Sequence, residues 1–121
     1  MSVIVLPFEN SSGDPRQDGL AAEITRDVTN SVSRDPTVPL VPEQTAIGYR
    51  GKPLDLHAIQ QAHNVHFAIT GTVRRENAHL IVSVTMFDTK DSRPVWASRF
   101  DRDEKKDEYD QIIHAIGAGF H

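Results

Sequence analysis

The stretch from His66 to Asp101, HFAITGTVRRENAHLIVSVTMFDTKDSRPVWASRFD, constrains the chain more than any other. It reads as three antiparallel strands in a meander. The first, Phe67 to Arg75, is rich in β-branched residues. Glu76-Asn77-Ala78 connects it to the second, and Asn77 tolerates a positive φ there. The second strand, His79 to Phe87, alternates. Leu80, Val82, Val84 and Met86 fall on one face, Ser83 and Thr85 on the other, which marks a half-buried strand. Thr89 to Arg93 is polar turn chemistry. The third strand, Pro94 to Asp101, sets Trp96, Ser98 and Phe100 against Val95, Ala97 and Arg99. A sheet with one apolar face needs helices to cover it.

The preceding residues supply them. Val3 to Phe8, VIVLPF, is a short apolar run of the kind buried on both faces of a sheet. Glu9 to Asp14 reads as a polar loop. Asp14 then reads as a helix N-cap, with Pro15 at the first helical position and Gln17 reaching back as in a capping box. Leu20, Ala21, Ile24, Val28 and Val32 form the apolar stripe of that helix, and Asp35-Pro36 ends it. Val38 to Val41 reads as a second short strand, near an edge because of Pro39 and Pro42. Glu43 to Tyr49 allows one or two helical turns. Asp55 caps a helix from Leu56 to His63, and Asn64 takes the left-handed position after it. A last helix, about Asp107 to Gly117, aligns Tyr109, Ile113, Ile116 and Phe120, while Gly117 weakens its end. The expected order is β-α-β-α-β-β-β-α: an α/β domain over residues 1–121, with one mixed sheet. Its N-terminal strands are parallel, its C-terminal strands form the antiparallel meander, and helices pack on it. The end of the chain in a helix points to a domain cut from a longer protein. The face Tyr109, Ile113, Ile116 and Phe120 is then expected to be an interface, for a neighbouring domain or for self-association as a homo-oligomer.

Chemistry is sparse. The net charge is −4 and basic residues are scattered, which argues against direct nucleic-acid binding. No apolar run reaches the roughly 20 residues that span a membrane, so no membrane insertion by these residues is expected. There is no cysteine. Asn10, Ser11, Ser12, Gly13 and Asp14 precede a helix start, a place where anions bind. The run lacks GxGxxG and GxxxxGK[ST], and Asp14 puts a carboxylate where a phosphate would sit, so a loop and cap is the favoured reading. These five residues, with Arg74 and Arg75, are the candidates for a ligand or polar contact. His57, His63, His66 and His79 lack the spacing of metal ligands. No serine lies in a nucleophile motif. Neither a catalytic set, a cofactor site nor a metal site is expected.

VIVLPFENSSGDPRQDGLAAEIT resembles the opening of the TolB amino-terminal-like domain, whose members begin with an apolar strand ending in Pro-Phe and an Asn-Ser-Gly-Asp-Pro-like loop. Tyr49-Arg50-Gly51-Lys52, Gly71-Thr72-Val73-Arg74-Arg75, Asp88, and Trp96 with Phe100-Asp101-Arg102 are similar to the rest of that domain, in order and with its spacing. Where members often carry Glu-Leu-Gly-Val, this chain has Ala62-His63-Asn64-Val65. The resemblance implies a non-catalytic α/β domain in bacterial multidomain signalling proteins. It lies there between a class III adenylate or guanylate cyclase domain, or a winged-helix DNA-binding domain, and tetratricopeptide repeats. Those neighbours would be its partners, and a membrane span in the longer protein would decide a cytoplasmic or periplasmic location. The alternative function is a small-molecule site at the loop 9–14.

Overall fold

The computed structural model describes residues 2–103 and 106–119, with no account of the side chains of 106–108, 118 and 119. A five-stranded mixed sheet organises them, in the order β1-β3-β4-β5 with β2 also paired to β3. The elements are β1 (Val3–Val5), β2 (Glu9–Asn10), α1 (Asp18–Ser33), α2 (Glu43–Ala46), α3 (Leu56–His63), β3 (Phe67–Glu76), β4 (His79–Asp88), β5 (Arg93–Asp103) and α4 (Lys106–Gly119). β1 and β2 run parallel to β3, and β3, β4 and β5 form the antiparallel meander. This is the α/β class and mixed sheet expected from the sequence.

Details differ where proline intervenes. Val38 to Val41 is not a strand but a single parallel bridge, Leu40 to Val3. Pro39 and Pro42 have no N–H to donate, so the contact is limited to two bonds at 2.9 Å, the Val3 N–H to the Pro39 carbonyl and the Val41 N–H to the Val3 carbonyl. That bridge still places β1 between two neighbours, and its three residues are fully buried. Glu9 and Asn10, expected in a loop, instead pair with Thr72 and Val73. Between Val5 and Glu9 the chain spends one residue more than β3 does between Ile69 and Thr72. Pro7 and Phe8 absorb the excess as a bulge. The Phe8 N–H leaves the ladder and donates to Thr25 Oγ1 of α1 at 2.8 Å.

The bulge turns the Phe8 ring onto Gly71. A Cβ at Gly71 would lie 2.3 Å from Phe8 Cε2 and 2.7 Å from the Ser83 carbonyl oxygen. No other residue type fits there without displacing a ring or a strand. The β3–β4 turn has positive φ at both central residues, Asn77 and Ala78. This is the primed geometry whose twist matches a two-residue hairpin. Asn64, at φ 53°, ends α3 in the left-handed conformation, and Asp55 Oδ1 caps its start by accepting from the Ala58 N–H.

Two apolar clusters sandwich the sheet. On one face Val3, Val5, Phe8, Ile69, Val73, Leu80, Val82, Val84, Met86 and Phe100 meet the α1 stripe, with Trp96 packed at the margin. α4 packs on the same side through Ile112 and Ile116, each 1% exposed. Of the residues expected as an interface, Ile116 is buried against the chain's own core, Tyr109 and Ile113 are half-buried there, and Phe120 lies outside the described residues. Ile112, not in the expected stripe, is the second buried anchor. Gly117 is a packing residue: a Cβ there would lie 2.1 Å from Ser31 Oγ of α1. Burial and the hydrogen-bonded Asp27 carboxylate push the Tyr109 hydroxyl well above its usual range. On the opposite face Ile4, Leu6, Ala46, Leu56, Ile59, Val65 and Ala68 form a smaller cluster under α2 and α3.

Two substitutions check this packing. Val84 is 2% exposed, and Val84→Ala is expected to cost about 1–3 kcal/mol in urea unfolding, from lost burial and a small cavity; an unchanged midpoint contradicts the core. Gly71→Ala is expected to cost about 1–3 kcal/mol by overpacking. The cost falls in a Phe8→Leu background, because part of the clash is with the ring. Strict additivity of the two substitutions contradicts the contact.

Candidate functional site

The smaller cluster covers only part of its sheet face. Beyond Ala68 the outward positions of β3 are Thr70, Thr72 and Arg74, since side chains alternate along a strand. On β4 they are Phe87, Thr85, Ser83 and Ile81. Thr70 lies opposite Thr85 and Thr72 opposite Ser83. Four hydroxyl side chains thus form a block at the centre of the sheet, each half-buried. A helix would have to leave their polar atoms unpaired, and none lies over them among the described residues.

The segment between α2 and α3 makes a wall beside this floor. The result is a groove of about 330 Å³ between the hydroxyl block, the 49–54 segment and the β1–β2 bulge. The wall is held by short backbone bonds: the Arg50 N–H donates to the Ile47 carbonyl and the Lys52 N–H to the Tyr49 carbonyl, both at 3.1 Å. Tyr49 is anchored through its hydroxyl, 2.7 Å from His63 Nε2, with the rings 5.7 Å apart edge to face. Lys52 Nζ lies 6.0 Å from the Tyr49 ring centroid, at the outer limit of a cation–π contact. Arg50, Lys52 and Leu54 are exposed. Among the described residues neither Arg50 nor Lys52 forms an ion pair. Glu9 stands at the rim.

The far end of the same face is ionic. Arg74 Nε donates to Glu76 at 3.0 Å. His79 Nδ1 lies 2.9 Å from Asp101 and Nε2 3.5 Å from Asp103, so the imidazole sits between two carboxylates. Hydrogen bonding to Asp101 raises the His79 pKa, and the charges of Asp101, Asp103 and Glu76 add to it; the same hydrogen bond lowers Asp101.

The residues singled out in the sequence lie elsewhere. Asn10, Ser12 and Asp14 form a local knot. Asn10 Nδ2 donates to the Asp14 carbonyl and to Asp18, while its Oδ1 accepts from the Ser12 N–H and hydroxyl. The Ser11 N–H extends the ladder to the Val73 carbonyl. Asp14 Oδ1 caps the turn Pro15–Gln17 by accepting from the Arg16 N–H, and both its oxygens accept from Arg16 Nε. Gln17 does not reach back as in a capping box. Its amide crosses to β3, donating to the Arg75 carbonyl at 3.1 Å and accepting from the Arg75 N–H at 2.7 Å. It supplies the pairing partner that β3 lacks there. Arg74 and Arg75 point to opposite sheet faces and form no common site. His57 is exposed, His63 holds Tyr49, and His66 lies near Ser2. Among the described residues no three ligating side chains converge for a metal.

The groove residues carried one sequence signal, the hydroxyl alternation on β3 and β4 opposite the apolar face. What sequence could not show is that the 49–54 loop returns over them.

No family model matches the sequence. It is 32% identical over 101 residues to the Rhizobium meliloti protein named "Putative adenylate cyclase 3", across 84% of this chain; the chain spans only 17% of that protein's length. Among solved structures, lipoprotein GNA1162 from Neisseria meningitidis superimposes with a TM-score of 0.65 at 12% identity, over 98% of this chain and 95% of that one. TolB from Acinetobacter baumannii superimposes with a TM-score of 0.64 at 12% identity, over 98% of this chain and 26% of that one. The chain thus has a fold found in TolB and in a bacterial lipoprotein, and its sequence resembles a segment of a cyclase-named protein.

The charge pair has a defined pH window. His79, raised above 6.5, stabilises the fold below that pH, and its contribution is lost as pH rises through the folded value. Asp101, lowered below 3.8, contributes above that pH and is lost as pH falls through its folded value. Both act together between 3.8 and 6.5. An NMR titration is expected to place the His79 midpoint above 6.5 and to move it down in Asp101→Asn. An unmoved midpoint in that variant contradicts the pairing.

Proposed function

We propose that this chain is a non-catalytic accessory domain of a bacterial multidomain signalling protein, a cyclase in the first instance, and that it acts through the regions beside it. The observation that carries this reading is the match to 17% of a cyclase-named protein, across 84% of this chain. A segment that small, with its own core and sheet, is one module among others in the relative. The local chemistry agrees. Asp14, Glu76, Asp101 and Asp103 are tied to neighbouring cations at the surface, whereas catalysis needs titratable groups perturbed together in a cleft.

The test is to delete this segment from the full-length polypeptide and assay cyclic-nucleotide synthesis, with the purified segment assayed alone. The expected result is altered output or regulation from the deletion and no nucleotide turnover by the segment. Unchanged catalysis and regulation, or turnover by the segment, overturns the accessory role.

A further inference from the structure

The groove on the open sheet face brings together three chemistries that its fold does not need. Its floor is a block of hydroxyls, Thr70, Thr72, Ser83 and Thr85. Among the described residues, only Thr70 of these has a side-chain bond, a long 3.4 Å contact to the Thr85 carbonyl. Its wall holds two exposed cations, Arg50 and Lys52, which have no carboxylate partner among the described residues and are fixed on a hydrogen-bonded turn. Beside them Pro53 and Leu54 present apolar surface, and Leu54 is 49% exposed. Solvation alone accounts for any one of these. Their convergence on one concavity of about 330 Å³ is the pattern of a small-molecule site: an apolar surface with a few placed polar groups.

We propose that this groove binds a phosphorylated nucleoside. Each part of such a ligand has a counterpart. The phosphate meets Arg50 and Lys52, of which the guanidinium can take two oxygens at once. The sugar hydroxyls meet the Thr72, Ser83 and Thr85 side chains, which both donate and accept. The base lies along Pro53 and Leu54. Glu9, at the rim, accepts from an exocyclic amino group and opposes a bare anion. The volume lies at the small end of the range for ligand pockets, which suits a mononucleotide better than a dinucleotide. This proposal concerns ligand recognition and does not depend on the identity of the neighbouring domains. A deletion without effect leaves it standing, and a failed titration leaves the accessory role standing.

The experiment is an amide NMR titration of this chain with AMP, ribose 5-phosphate and inorganic phosphate, each up to about 5 mM, a range that reaches millimolar dissociation constants. AMP is expected to shift amides in 49–54, 70–72 and 83–85, and ribose 5-phosphate to bind the same amides about tenfold more weakly. Lys52→Glu and Arg50→Glu, both at exposed positions, are each expected to weaken AMP at least about tenfold with an otherwise unchanged spectrum. Ser83→Val tests the floor in the same way. Three results overturn the proposal: no shifts in the groove with AMP, equal binding of inorganic phosphate, or AMP binding that survives both charge reversals.

Discussion

The Phe8 ring seated on Gly71 is the contact through which the two halves of the fold are joined. β3 is where the two kinds of pairing meet, parallel to β1 and β2 on one side and antiparallel to β4 on the other. Two parallel segments on one side of a strand must be kept in register across whatever interrupts them. Here the interruption is one extra residue at Pro7-Phe8, and the ring fills the space that glycine leaves on β3. Thr25 Oγ1 takes the N–H that proline-induced bulging frees, so α1 is tied to the same point. Sheet register, helix docking and the mouth of the groove all follow from this junction.

Much of the fold was legible because local chemistry and tertiary need agree. The alternation of β4 and the α1 stripe predict what those two elements contribute to the larger core residue for residue. Asp55 and Asn64 mark both ends of α3. The failures lie where a long-range partner decides. Val38 to Val41 has strand composition, but its two prolines leave a single bridge. Glu9 and Asn10 have loop composition, but β3 offers an unpaired edge and takes them as a strand. Gln17 has the position of a capping-box residue, yet the Arg75 backbone offers it two bonds instead of one. In α4 the expected stripe contains Ile116 but omits Ile112, which lies four residues before it and faces the same core.

The open sheet face separates structural polarity from polarity with another use. At the far end Arg74, Glu76, His79, Asp101 and Asp103 pair with one another along the long edge of the meander. Charged side chains on an edge strand oppose unwanted pairing with other chains, and β5 carries them at its start and among its last five residues. At the groove end the cations have no such partners among the described residues, and the hydroxyls line a concavity. The loop at residues 10–14 spends its hydrogen bonds on itself, on the helix start that follows and on β3. The resemblance of the chain to part of a cyclase-named protein is the ground on which the accessory role is proposed.

Native-state amide hydrogen exchange tests the central place of β3 most directly. The β3 amides, bonded from both sides and backed by both clusters, are predicted to exchange only through global unfolding, with α1 close to that limit and the edge strand β5 opening at lower free energy. Phe8→Leu is predicted to lower the protection of β1, β2 and β3 together. Exchange of β3 amides through openings well below the global unfolding energy, or loss of β1 and β2 protection in Phe8→Leu with β3 unaffected, contradicts the account.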